Sequence, residues 1–274
     1  MGRGSYSHEA HRRVVTQRKD KAPTEVFRQG GTDPRMKPYG VVRESRDSEG
    51  NENSIGIVFA LDVSASMEAI PHELAKDTLP AFMSAVLDVL PDAQVLFMAF
   101  GNGFTDRSAL QAGQFETTGE LMDQWLSAVH IESGGGGMGE SYDLAMLFAS
   151  RQTSMDCFEK RKKKGYLFIT GDEVPFDRLH VSTAKRWTGL DIGADMPIHT
   201  VCAEVLERFN TFFLIPDPVR AKQCEACWRT VLGERVIVLP RPAAAAQASA
   251  LAVSIVEGVI TTPEGLSAHV LKYA

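Results

Sequence analysis

The run Ile55-Gly-Ile-Val-Phe-Ala-Leu61 is apolar throughout and breaks at once into Asp62-Val-Ser64-Ala-Ser66. A strand with one wet face alternates polar and apolar residues. An unbroken apolar run suits a strand covered on both sides, as in a parallel sheet between two helical layers. Residues 93–100, 166–170, 210–215 and 236–239 form similar runs. Between them, helical spacing is expected over 67–90 (divided at Pro80), 119–129, 140–150, 182–187, 197–208, 218–232 and 242–260. A short edge strand is expected near 114–116. Strands alternating with helices through short connections predict an α/β fold with a doubly wound sheet. No internal repeat interrupts it.

Composition narrows the reading. With 274 residues, 44% of them apolar, the chain can bury one sizeable core. Four cysteines are too few for a disulfide-stapled secreted module. The net charge of −6 argues against nucleic-acid binding as the main task. That charge is uneven: residues 1–37 carry nine Lys/Arg against four Asp/Glu. We therefore read 1–53 as a polar, basic, largely irregular leader that packs on the body from about Tyr39. Residues 54–262 form the domain and 263–274 a C-terminal tail. The N-terminus has no apolar stretch, so no secretory signal is expected there, and Tyr6 breaks the myristoylation pattern. The most apolar long segment, 243–260, is interrupted by Gln247, Ser249, Ser254, Glu257 and Gly258. A cytoplasmic location is the expectation.

In doubly wound sheets, ligands sit outside the carboxyl ends of strands. Two expected strands end in acid here: Leu61 runs into Asp62, and Thr170 into Gly171-Asp172-Glu173. Asp62, Ser64 and Ser66 alternate with apolar positions, so a tight turn brings three oxygen-bearing side chains toward one point. One carboxylate with two hydroxyls is a hard-oxygen set of low charge, which suits Mg²⁺ with several retained waters. Asp172 supplies a second carboxylate that orients a metal-bound water. Such a site is unsaturated and invites an Asp or Glu from a partner.

Asp62-Val-Ser64-Ala-Ser66 after a buried strand resembles the metal-ion-dependent adhesion site of the von Willebrand factor A (vWA) family. The glycine-rich turn 133–139 and the Asp172 strand end fit the same pattern. The resemblance covers roughly 54–260 and implies a mostly parallel six-stranded sheet, one antiparallel edge strand and helices on both faces. It implies direct ligation of Mg²⁺, Mn²⁺ or Ca²⁺ by Ser64 and Ser66, with Asp62 and Asp172 acting through waters. Gly136 stands where the family places a ligating Thr. Intracellular bacterial-type members with a Gly-Gly-Gly-Asp-x-Pro-Glu turn look closer, and Glu140 matches the Glu of that turn. Either Glu140 or Ser141 then reaches the metal, or the loop stays open. The resemblance further implies a cytoplasmic scaffold that binds a partner's acidic residue, the partner being an AAA+ ATPase or a signalling kinase or phosphatase.

Other readings compete. Ser66 alone could be a helix N-cap. Asp62 could be the nucleophile of a haloacid-dehalogenase-type phosphohydrolase with Asp172-Glu173 holding Mg²⁺, but that chemistry needs an acid where Ser64 stands. A metal-free docking surface on the same fold is a third possibility. The turn Gly134–Gly137 lacks the Lys-Ser/Thr of a nucleotide loop. Cys224 and Cys227 lack a second pair for zinc and read as packed thiols.

Overall fold

In a computed structural model of the chain, the described residues are 16, 29–67, 69–74, 79–131 and 139–261. Most of the leader, the turn 132–138 and the tail lie outside them.

Six strands make the central sheet: β1 Ile55–Asp62, β2 Ala93–Phe100, β3 Leu110–Ala112, β4 Gly165–Thr170, β5 Phe209–Ile215 and β6 Val236–Val238. Their order is β6-β5-β4-β1-β2-β3, parallel except for antiparallel β3 at the edge. Every residue of β1, β2 and β4 is buried. That is the reason these runs carry no polar alternation. The expected α/β architecture is the one observed.

Helices cover both faces: α1 Leu79–Leu87, α2 Gly119–Ser127, α3 Tyr142–Arg151, α4 Val181–Thr188, α5 Ile198–Arg208, α6 Pro218–Leu232 and α7 Ala245–Val256. Phe59 pairs with Phe168 and Phe168 with Phe212, so these rings share one face. Phe82 of α1 meets Phe59 and Phe168 edge-on at 5.1 and 5.7 Å. Phe213 and Phe100 point the other way, and Tyr142 of α3 packs edge-on against both at 5.4 and 5.0 Å. Aromatic rings thus tie one helix to each side of the sheet.

Several boundaries differ from the sequence reading. The edge strand is Leu110–Ala112, not 114–116. Its antiparallel register pairs Met98 with Ala112, whereas further along Val95 bridges Glu116. One extra residue has entered the ladder, a bulge that demotes 114–116 to an isolated bridge. The expected helix over 67–90 is a 3-10 turn at Ala65–Met67, a short helix at Ile70–Glu73, and α1, which starts beside Pro80. Proline is tolerated in a first turn, where its missing donor costs nothing. The closing helix is shorter than 242–260 because Pro242–Ala244 forms a 3-10 turn and the chain turns left-handed at Gly258.

The described end of the leader is built into the body. Met36 is fully buried, and Arg43–Ser45 pairs in parallel with Thr153–Met155. The Gln152 amide nitrogen donates toward the carbonyls of Pro38, Val41 and Thr188 at 3.1, 2.9 and 3.1 Å. A single buried amide therefore ties residues 38–41 to the end of α4. Gln152→Ala removes this shared donor, leaving the Val41 carbonyl without it while Pro38 and Thr188 keep backbone donors, and should cost about 1–3 kcal/mol. A lower urea midpoint with faster proteolytic nicking near residue 40 is the expected result; an unchanged midpoint would show that the segment is not part of the cooperative unit.

Candidate metal centre

Leu61 pairs with Thr170 across β1 and β4, so the two strands end at the same level. This is the point where strand order reverses, the place at which open α/β sheets bind ligands. Asp62 is fully buried at the end of β1. The chain turns back over it: the Ser64 backbone N–H donates to Asp62 Oδ1 at 2.9 Å, and the Ser64 hydroxyl bonds the same oxygen. Ser64 Oγ and Ser66 Oγ stand 3.0 Å apart, and Ser66 Oγ donates to Asp172 Oδ1 at 2.9 Å. Four residues expected to converge therefore do so, from two strand ends.

The donor set suits a small hard cation. Adjacent oxygens of an octahedral Mg²⁺ shell with bonds of about 2.1 Å lie about 3 Å apart. The two serine hydroxyls have that spacing, and the Ser66 hydroxyl also donates to Asp172 Oδ1 at 2.9 Å. Among the described residues, no three His, Cys, Asp or Glu side chains group as metal ligands, so a cation held here would rely on hydroxyls.

Three side chains that sequence reasoning missed hold this cluster. The Tyr142 hydroxyl donates to Asp62 Oδ2 at 2.9 Å and accepts from the Glu173 backbone N–H at 3.2 Å. Trp228 packs edge-on against the Tyr142 ring at 5.0 Å, and its indole N–H donates to the Glu173 carbonyl at 2.9 Å. A β-carbon at Gly171 would collide with the Tyr142 ring and hydroxyl, so glycine at the end of β4 is what admits the tyrosine. From the first turn of α6, Arg220 Nε donates to Asp172 Oδ2 at 2.9 Å and Nη2 reaches the Ser66 carbonyl at 3.3 Å. Arg220 is itself held by the helix N-cap Asp217 through a 2.7 Å ion pair. The guanidinium fixes one oxygen of Asp172 and leaves the other facing the serines. A signal existed: residues 210–215 end at Pro216-Asp217-Pro218, a third strand end at the same edge.

Glu140 and Ser141 behave differently from each other. Ser141 Oγ accepts from the Gly103 N–H at 2.9 Å, so in this structure it braces a loop. Glu140 is buried, and its Oε2 has no hydrogen-bond partner. Burial pushes its carboxyl up to about 9, helped by the charges of Asp62 and Asp106. Burial likewise pushes Asp62 up to about 7, with Asp172 adding to it. An unpartnered carboxyl among other carboxylates is an arrangement that a cation would relieve. Gly136 lies outside the described residues.

No protein-family model matches the sequence, and no curated protein matches it. Solved structures do. Proximal thread matrix protein 1 from the mussel byssus aligns at a TM-score of 0.50 and 10% identity, over 74% of this chain and 48% of that one. The pilus adhesin SpaC from Lactobacillus rhamnosus GG aligns at 0.49 and 11%, over 78% of this chain and 32% of that one. The SpRpn10 VWA domain aligns at 0.43 and 10%, over 78% and 92%. The chain thus spans a third to a half of the length of the adhesin and the thread protein. The likeness to the thread protein concerns the fold alone, and the observed sheet, six strands with one antiparallel edge strand and helices on both faces, is the architecture expected of a vWA-like fold.

The two raised carboxyls fix the sign of a pH effect. The folded chain keeps these protons after the unfolded chain has lost them, so their contribution is present at low pH and lost as pH rises. The window runs from 3.8 toward about 7 for Asp62 and from 4.5 toward about 9 for Glu140. In EDTA, the melting temperature should fall between about pH 5 and about pH 8.5, and Glu140→Gln should flatten the part above about pH 7. A melting temperature that climbs through this range would contradict the assignment.

Proposed function

We propose that the chain is a non-catalytic, divalent-cation-dependent protein-binding module. Ser64 and Ser66 hold Mg²⁺ or Mn²⁺ directly, Asp62 and Asp172 orient its waters, and a partner's Asp or Glu completes the shell. The observation that carries this reading is the Ser66 hydroxyl, 3.0 Å from Ser64 Oγ and 2.9 Å from Asp172 Oδ1. Two crossover points supply those groups, and the spacing of the two serines is that of an octahedral edge. Glu140 is the acid positioned in sequence to join the shell. The partner classes implied by the family resemblance, an AAA+ ATPase or a signalling kinase or phosphatase, stay part of this proposal as fold-level analogy.

Asp62 is poorly placed as a phosphohydrolase nucleophile. Its Oδ1 accepts from Ser64 and its Oδ2 from Tyr142, and a serine stands where the general acid is needed. No helix among the described residues is long and apolar enough to cross a membrane.

Calorimetric titration of the full chain with Mn²⁺ tests the proposal. One saturable site is expected. Asp62→Ala and Ser66→Ala should abolish it, and Tyr142→Phe should weaken it by about 10–100-fold, because that ring fixes Asp62 without touching the ion. An acidic peptide should then displace water from the bound Mn²⁺, read by water-proton relaxation. Absence of binding at millimolar Mn²⁺, or binding indifferent to Asp62→Ala, would overturn the reading.

A further inference from the structure

Ser66 and Arg220 bond the two oxygens of one carboxylate. Asp172 Oδ1 accepts from the Ser66 hydroxyl and Oδ2 from Arg220 Nε, each at 2.9 Å. Arg220 Nη2 also donates to the Ser66 carbonyl at 3.3 Å, and Nη1 pairs with Asp217 Oδ2 at 2.7 Å. Asp172 is buried and the Arg220 side chain is 24% exposed, so water screens these charges only in part. Among the described residues, Arg220 is the cation paired with Asp172, whereas Asp62 is held by neutral donors.

A fixed positive charge beside a cation site works against the ion. Position alone does not call for one, since a neutral hydroxyl suffices to hold Asp62. The charge itself has a consequence. Asp62, Asp172 and Asp217, ionised, with protonated Arg220, leave two net negative charges, which a divalent ion cancels. With a neutral side chain at 220, three remain, and the loaded centre stays negative. Asp106, Glu140 and Glu173 enter both cases alike. The first arrangement holds an ion less tightly but does not repel a carboxylate; the second does the reverse.

We propose that Arg220 is the residue that makes the ion-loaded centre accept an acid. Its charge weakens the hold on a divalent cation and removes the repulsion that an incoming carboxylate would meet. The inference rests on the metal-binding reading above and assigns within it the residue that sets ion affinity and acid affinity against each other.

Two titrations separate these affinities: Mn²⁺ into the full chain by calorimetry, then acetate into the Mn²⁺-loaded chain, read by water-proton relaxation at constant ionic strength. Arg220→Gln should bind Mn²⁺ about tenfold more tightly than the parent chain and acetate about threefold more weakly. Asp217→Asn keeps a side chain that caps a helix equally well, so α6 should stay folded, and it removes the second acid on Arg220. Both affinities should then move the opposite way, Mn²⁺ weaker and acetate tighter, by about two- to fivefold. Arg220→Lys keeps the charge and should stay within about threefold of the parent in both titrations. If Arg220 merely held Asp172 in place, Arg220→Gln would weaken Mn²⁺ and acetate together; that result would overturn the proposal, as would Asp217→Asn shifting in the same direction as Arg220→Gln. A parent chain that binds no Mn²⁺ would instead remove the metal reading itself, and this proposal with it.

Discussion

The carboxylate of Asp62 is buried at the middle of the sheet's carboxyl edge, and its partners are a backbone N–H and the hydroxyls of Ser64 and Tyr142. A buried carboxylate held by neutral donors is costly unless a positive charge comes near. Much of the surrounding structure answers to that constraint. Gly171 makes room for Tyr142, Trp228 packs against its ring, and the 3-10 turn folds the serines back over the acid. Ser66 then reaches across to the neighbouring strand end.

Charge around the centre is balanced unevenly. Arg220 neutralises one side of Asp172, whereas Glu140 faces other acids with one oxygen unpartnered. A resident guanidinium lowers the negative potential available to an ion and at the same time holds Asp172 in the orientation an ion needs. On the proposed reading the centre lies between a naked acid cluster, which would bind cations indiscriminately, and a closed ion pair, which would bind none.

The parts of this arrangement visible in the sequence are those written locally. Asp62, Ser64 and Ser66 follow a strand whose burial is plain from its unbroken apolar run, and Asp172 follows another. Periodicity also placed the helices over 218–232 and near 198–208. The supporting side chains escaped because their contacts are remote: Tyr142 meets Asp62 from 80 positions away, and Arg220 meets Ser66 from 154. Ser141, one of the two residues expected to reach the metal, has its hydroxyl on the Gly103 N–H, a contact that spacing does not reveal. The edge strand was misplaced by a bulge, since one inserted residue shifts the ladder without changing the apolar pattern.

The most direct measurement is an anomalous-difference map from crystals grown with Mn²⁺. The account predicts one strong peak within coordination distance of both Ser64 Oγ and Ser66 Oγ, with the Asp172 carboxyl close enough to orient a bound water. A map with no peak between the serines, while Ser66 keeps its hydrogen bond to Asp172 and Arg220 its ion pair, would show that the strand ends serve packing alone.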